Sequence, residues 1–165
     1  MKIIILRVLL VVLIFINFVV TFGFSGQSGT ESSGVSRKVT LFLLNIWGNY
    51  DEPLNEEQEQ EVQNIEHIVR KVAHFSIYAL LGFLLMGLAS TYNICNKKKI
   101  ILSLIVGILY ASLDEFHQSF IPGRTALVTD VLIDTAGTTT GIIIMWLIIK
   151  FYKKSRFFLY SKKDQ

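Results

Sequence analysis

The sequence predicts an all-α integral membrane protein: a helical bundle with four transmembrane helices and an additional amphipathic helix in the outer membrane interface. First, the 165-residue chain is 52% hydrophobic and only 18% charged, with a mean hydropathy of +0.50. This is too little charge to cover a soluble domain of this length. Second, the apolar residues are concentrated in four stretches, at residues 3–24, 72–88, 100–113 and 126–149. Third, most basic residues fall on the side of the membrane that would carry both termini.

The four stretches differ in how well they fit a bilayer. The first and last exceed the roughly 20 residues that a helix needs to cross the hydrocarbon core. The second is long enough if the basic pair Arg70 and Lys71 lies at the membrane surface. The third is short, and it crosses only if its helix continues through Asp114, Glu115 and Gln118. We therefore expect these three polar side chains to lie within one leaflet.

The stretches divide the chain into four segments. We expect a transmembrane anchor at residues 1–24, an extracytoplasmic loop with interfacial helices at 25–66, a three-helix core at 67–149 and a basic cytoplasmic tail at 150–165. The first segment also resembles a cleaved signal peptide. Its length and the lack of a clear A-x-A cleavage site favour a retained anchor.

The charge distribution predicts the orientation. With four crossings both termini lie on the same side, and that side carries 11 of the 16 basic residues but a single acidic residue, Asp164. The positive-inside rule therefore predicts a multi-pass cell-membrane protein with both termini in the cytoplasm. The basic tail indicates contact with anionic lipid, and no motif points to nucleic acid. The only cysteine, Cys95, cannot form an intrachain disulfide.

The segment after the first crossing is expected to contain a loop and two helices. "FSGQSGTESSGVS" is rich in Gly and Ser, which is typical of a loop. From Ser36, a plausible N-cap, apolar residues recur at helical spacing, which predicts an interfacial helix with Trp47 and Tyr50 at headgroup level. Pro53 would end it. At Asn55, N-x-x-Q resembles a capping box and predicts a second helix that runs into the second crossing.

Polar residues in the three later crossings fall on single helical faces. An ionised side chain facing hydrocarbon is costly, so these faces should meet one another, with the charges paired at the outer end of the bundle. The motif Gly137-x-x-x-Gly141 predicts a close helix contact. The faces consist of His67, Lys71, His74 and Tyr78 in the second crossing, of Ser103, Gly107, Tyr110, Asp114 and Gln118 in the third, and of Asp130, Asp134, Gly137 and Gly141 in the fourth.

A charge cluster of this kind can simply fix the register of the helices. A register lock needs only one or two pairs, however, and intramembrane ionisable groups are functional candidates by default, so we expect a binding or reactive pocket. The candidate ligand-binding residues are Arg70, Lys71, His74, Tyr78, Asp114, Glu115, Gln118, Arg124 and Asp130.

Several chemistries can be considered for this pocket. For acid–base catalysis, Glu115 or Asp114 beside His74 are the candidates, although no feature identifies a substrate, and we lean towards a protein without enzymatic activity. The spacing D-E-x-H is not an established metal signature, and nearby basic side chains compete for the carboxylates. We expect neither a metal site nor another cofactor. A Ser-His-Asp triad is disfavoured because Ser76 and Ser119 lack the context of a nucleophile.

The motifs R-K-x-x-H-F, D-E-x-x-Q-x-F-x-P-G-R and D-x-x-x-D-x-x-G occur in this order between residues 24 and 141. Together they resemble the VanZ-like family of bacterial membrane proteins, whose named member is associated with teicoplanin resistance. Asp134 stands where the family often has asparagine, which leaves open whether it pairs with Arg124 or is protonated. The resemblance implies family positions at Ser25, Gln27, Arg70, Lys71, His74, Phe75, Tyr78, Asp114, Glu115, Gln118, Pro122, Gly123, Arg124, Asp130 and Gly137.

The leading functional hypothesis is an envelope protein that binds an amphiphile at the outer leaflet. The amphiphile would be a lipoglycopeptide or a lipid-linked wall precursor, and binding would give low-level teicoplanin resistance by analogy with the family. Arg70, Lys71 and Arg124 would contact anionic or carbonyl groups of its head. The alternatives are an intramembrane enzyme acting on a lipid head group and a structural subunit of an envelope complex. The sequence leaves the oligomeric state open.

Overall fold

The computed structural model describes residues 1–27, 29–46, 48, 50 and 53–161. Within this part of the chain all regular structure is helical. The helices are α1 (Lys2–Ser25), α2 (Gly29–Asn45), α3 (Glu56–Ser90), α4 (Asn96–Gln118) and α5 (Val128–Ser161). Four of them, α1, α3, α4 and α5 up to Tyr152, are long and apolar enough to cross a membrane. The predicted all-α membrane fold is confirmed.

The helix α3 begins with the predicted capping box. The side chain of Asn55 accepts a 2.8 Å hydrogen bond from the backbone N–H of Gln58, and the Gln58 side chain accepts one of 3.1 Å from the backbone N–H of Asn55. The helix then continues for 35 residues, about 50 Å, whereas the hydrocarbon core is about 30 Å thick. Its glutamate-rich start therefore extends beyond the apolar span, as the sequence predicted.

The helix α4 continues through the polar residues at its end. It has 23 residues and includes Asp114, Glu115 and Gln118, all three of them buried. At 1.5 Å per residue its length is about 35 Å, which is sufficient for a full crossing. The third helix therefore continues through its polar end, as the sequence required for a full crossing.

The helix α2 departs from expectation. It begins at Gly29, so the loop predicted there is wrong, and Ser36 lies inside the helix with its hydroxyl donating to the carbonyl oxygen of Ser33 at 3.1 Å. Gly and Ser have low helix propensity, but packing on α3 outweighs it. The helix ends at Asn45, before Tyr50. Trp47, which we expected at headgroup level, lies outside the described residues.

The helix α2 buries polar side chains and exposes apolar ones, which is the reverse of a helix on the surface of a soluble protein. Ser36 and Thr40 are buried, whereas Val39, Phe42 and Leu43 are exposed. An apolar outer face of this kind is what a helix in the membrane interface presents to lipid.

The central element is α3, which contacts each of the other four helices, most extensively α5. A Cβ atom on Gly141 would collide with the carbonyl oxygen of Ala79 and come within 2.7 Å of the backbone nitrogen of Phe83. At Gly137 it would collide with the carbonyl oxygen of Phe75. The predicted small-residue contact is confirmed, because only glycine lets the two backbones approach this closely.

The helix α1 packs on the bundle through a polar stripe. Asn17, Thr21 and Ser25 are buried, and the side-chain amide of Asn17 donates to the carbonyl oxygen of Ile77 at 3.3 Å. In the same region the hydroxyl of Tyr110 donates to a carbonyl oxygen of α1 at 2.8 Å. Most of the remaining surface of α1 is exposed and apolar, as expected for contact with lipid.

Candidate functional site

A polar cavity of about 130 Å³ lies where the middle of α3, the end of α4, the α4–α5 loop and the start of α5 meet. We call it the polar cavity. It contains seven of the nine predicted ligand-binding residues, and Tyr78 and Asp114 are the two that do not line it. The lining residues are His67, Arg70, Lys71, His74, Glu115, Gln118, Gly123, Arg124, Thr125, Leu127, Asp130, Ile133 and Asp134.

An ion pair between α3 and α5 forms part of the rim. The ammonium nitrogen of Lys71 lies 3.1 Å from Oδ1 of Asp130, and about a third of each side chain is exposed. Partly exposed pairs contribute little to stability, since solvent screens them. The pair therefore leaves a cation at the cavity entrance that an incoming anion can reach.

A tight turn places Arg124 over the cavity. Gly123 has a φ of 76°, in the left-handed region that glycine adopts without strain. The guanidinium of the following residue, Arg124, is thereby directed back towards the bundle. Its Nη1 donates to the side-chain oxygen of Gln118 at 2.9 Å, and its Nη2 donates to the carbonyl oxygen of Phe24 at 3.2 Å.

Beneath Arg124, a hydrogen-bond chain leads into the bundle. The side-chain amide of Gln118 donates to Oδ2 of Asp114 at 3.2 Å and to the hydroxyl of Ser25 at 3.3 Å. The neighbouring Glu115 has another partner, because its Oε2 accepts from the backbone N–H of Leu127 at 3.1 Å. Glu115 thus anchors the segment that leads into α5.

Asp134 lies deepest in the polar cavity. Its side chain is 1% exposed, and its Oδ1 lies 3.8 Å from Nδ1 of His74. The sequence left open whether this residue pairs with Arg124 or is protonated, and its neighbour is the imidazole. A separation of 3.8 Å is too long for a hydrogen bond.

The base of the site contains polar atoms without partners. Among the described residues, Oδ1 of Asp114, Oδ2 of Asp134 and the hydroxyl of Tyr78 are buried without a hydrogen-bond partner. The Nε atoms of Arg70 and Arg124 are in the same situation. Buried polar groups are nearly always satisfied in folded proteins, so these atoms are available to a further bound group. His74, Asp114 and Asp134 are also close enough to hold a metal ion.

Two residues lie apart from the polar cavity. His117 stacks on Phe22 with ring centroids 4.2 Å apart and points towards α1. Tyr78 is fully buried and packs against Tyr110 with centroids 5.9 Å apart. Helical spacing placed Tyr78 on the correct face, but one turn below the open space.

A second cavity, of about 270 Å³ and largely apolar, lies between α1, α2 and α3. We call it the apolar cavity. It shares Arg70 and His74 with the polar cavity, so the two adjoin. No sequence pattern indicates this cavity, because the Gly- and Ser-rich start of α2 has the composition of a loop. Its lining residues are Thr21, Phe24, Gln27, Val35, Ser36, Val39, Val69, Arg70, Ala73, His74 and Ile77.

Comparison with known proteins agrees with this architecture. A family model described as VanZ/LLP1 matches residues 7–150, which include most of α1 and every residue that lines the two cavities. The comparisons with curated proteins and with solved structures found no match. Because the family model covers well over half of the chain and the helices are those of a multi-pass membrane protein, the protein belongs to the VanZ/LLP1 family.

Proposed function

We propose that this protein binds an amphiphile at the outer leaflet of the cell membrane, with the head group in the polar cavity and the tail in the apolar cavity. The observation that supports this most directly is that the two cavities meet at Arg70 and His74. Ligand sites usually combine apolar walls with a few converging polar groups. Here the polar and apolar parts are separated into adjoining spaces, which matches a ligand with a separate head and tail.

The chemistry of the polar cavity favours an anionic or carbonyl-rich head. Arg70, Lys71 and Arg124 line it, and guanidinium groups bind carboxylate and phosphate through paired hydrogen bonds. A lipoglycopeptide such as teicoplanin and a lipid-linked wall precursor both combine such a head with a hydrocarbon tail. Binding of either would connect the protein with the cell envelope, and binding of the first would give low-level teicoplanin resistance.

The orientation in the membrane is part of the proposal. The concentration of basic residues at both termini and in the loop between α3 and α4 supports cytoplasmic termini. Both cavities then open on the outer side, where the amphiphile is found. The exposed apolar face of α2 would lie in the outer leaflet beside the apolar cavity.

One observation favours a second function. Oδ1 of Asp114 is buried without a partner near His74, and a carboxylate beside an imidazole can transfer protons. The alternative is an intramembrane enzyme that acts on a lipid head group. Turnover of lipid extracts by the purified protein, lost in Asp114→Asn while binding persists, would establish it.

The proposal is tested by teicoplanin susceptibility in a sensitive Gram-positive host that expresses the wild type or Arg124→Gln. Glutamine removes the guanidinium charge from the polar cavity. Lys38→Gln, which alters an exposed basic side chain away from both cavities, is the matched control. We expect protection by the wild type and Lys38→Gln, and loss of protection in Arg124→Gln at equal membrane abundance. No protection by abundant wild-type protein would refute the resistance role.

A further inference from the structure

Three potential metal ligands converge at the base of the polar cavity, one from each of α3, α4 and α5. They are His74, Asp114 and Asp134, and each offers one ligand atom within 4.8 Å of the other two. Imidazole and carboxylate together are typical ligands of Zn²⁺ and Mn²⁺. The D-E-x-H spacing did not reveal this set, because its members come from three helices and exclude both Glu115 and His117.

The two carboxylates of this set are buried, and each has one oxygen without a hydrogen-bond partner. Asp114 is 3% exposed and Asp134 is 1% exposed, yet Oδ1 of the first and Oδ2 of the second have no hydrogen-bond partner. Two buried carboxylates at such proximity repel each other and are strongly disfavoured without a counter-charge.

None of the nearest Lys and Arg side chains in the described part of the chain pairs directly with Asp114 or Asp134. Lys71 pairs with Asp130 at the rim. Arg124 donates to the amide oxygen of Gln118 and to a backbone carbonyl, and Arg70 donates to the hydroxyl of Ser33. A divalent cation would neutralise the two carboxylates while His74 stays neutral, which is the form in which an imidazole binds metal.

We infer that His74, Asp114 and Asp134 bind one divalent transition-metal ion, Zn²⁺ or Mn²⁺. Tetrahedral bonds of about 2.1 Å place two ligand atoms about 3.4 Å apart. The ligand atoms of the triad, which lie within 4.8 Å of one another, therefore have to approach by at most about 1.4 Å. Three protein ligands leave at least one coordination position open. That position can face the polar cavity, because His74 and Asp134 line it.

The proposal is tested by metal titration of the full-length protein, purified in detergent and freed of metal with a chelator. Calorimetry with Zn²⁺ and electron paramagnetic resonance with Mn²⁺ measure affinity and stoichiometry. We expect one ion per chain. Asp114→Asn, Asp134→Asn and His74→Gln should each weaken binding by about 100-fold or more, since losing even an outer partner of a ligand costs roughly 10- to 100-fold.

The matched controls are Glu66→Gln, which alters a buried carboxyl of α3, and Glu57→Gln, which alters an exposed one; neither residue lines the polar cavity. Both should bind metal as the wild type does. The wild type also gives a readout that does not depend on variants, because a metal that binds the native state raises its Tm. Absence of stoichiometric binding together with an unchanged Tm would overturn the proposal, and so would wild-type affinity in all three triad variants.

This inference is independent of the amphiphile proposal, because the titration contains no amphiphile. A metal site without teicoplanin protection would leave the triad assigned and refute only the resistance role.

Discussion

The guanidinium of Arg124 reaches the buried carboxyl of Asp114 only through Gln118, by successive hydrogen bonds of 2.9 Å and 3.2 Å. The link is an amide and not an ion pair. In the described part of the chain Arg124 faces the polar cavity without a direct carboxylate partner. Its charge is thus available to an anionic head group.

The first prediction concerns the charge of Arg124. Arg124→Gln should weaken amphiphile binding about tenfold or more, since a hydrogen bond to a charged group is worth about 1.5–3 kcal/mol. Arg124→Lys keeps the charge but lacks the planar guanidinium, so the affinity for the amphiphile should fall less. Binding is measured with purified protein in lipid nanodiscs. Equal affinities of the two variants would argue against recognition by this residue.

The second prediction concerns the contact between α3 and α5. Gly141→Ala should lower the free energy of unfolding by about 1–3 kcal/mol, because the new methyl group meets the backbone of Ala79 and Phe83. Gly23→Ala is the matched control, since a Cβ atom there has no neighbour within 4 Å. It should leave stability unchanged or raise it by about 0.5–1 kcal/mol. The comparison is made by Tm in detergent, and similar values for both variants would contradict the close contact.

Much of the fold could be predicted from the sequence because its signals are local. The four apolar stretches determine the crossings, and the box at Asn55 determines where α3 begins. The spacing of small residues predicted the contact at Gly137 and Gly141. Each of these features depends on residues of one helix and on the general demands of the bilayer.

The site was predicted less completely because its geometry depends on how different helices meet. The sequence placed Asp134 on the correct face but could not show that its neighbour is His74. The orientation of His117 towards Phe22 depends on how α1 packs. The apolar cavity was missed because the low helix propensity of the segment from Gly29 is outweighed by tertiary packing.

The third prediction concerns the attachment of α2 to α3. Arg37 donates to both carboxylate oxygens of Glu59, at 2.7 Å and 2.8 Å. Arg37→Ala should increase hydrogen exchange throughout α2 and weaken amphiphile binding, because α2 forms one wall of the apolar cavity. Lys38→Ala, at the neighbouring exposed position, should exchange as the wild type does. Unchanged protection of α2 in Arg37→Ala would show that the ion pair does not hold the helix.

The fourth prediction concerns orientation. Cys95 is exposed between α3 and α4, on the side proposed to be cytoplasmic. A membrane-impermeant maleimide should leave it unlabelled in intact cells and label it after lysis. The double variant Cys95→Ser/Gln60→Cys moves the thiol to an exposed position near the start of α3 and should be labelled in intact cells. Labelling of Cys95 before lysis would reverse the proposed topology.

The most direct measurement of the central claim compares an acylated ligand with its deacylated form. Purified protein in nanodiscs is titrated with teicoplanin, with deacylated teicoplanin and with a lipid-linked wall precursor. Ala73→Phe fills the apolar cavity, whereas Val72→Phe adds the same ring on the exposed neighbouring position and serves as the control.

We predict that the wild type and Val72→Phe bind a tailed ligand more tightly than the deacylated form. Ala73→Phe should lose about tenfold or more of the affinity for the tailed ligand, as expected when about two methylene groups are no longer buried. Its affinity for the deacylated form should stay unchanged. Equal binding of tailed and deacylated ligands by the wild type, or no binding of either tailed ligand, would contradict the proposal that one amphiphile occupies both cavities.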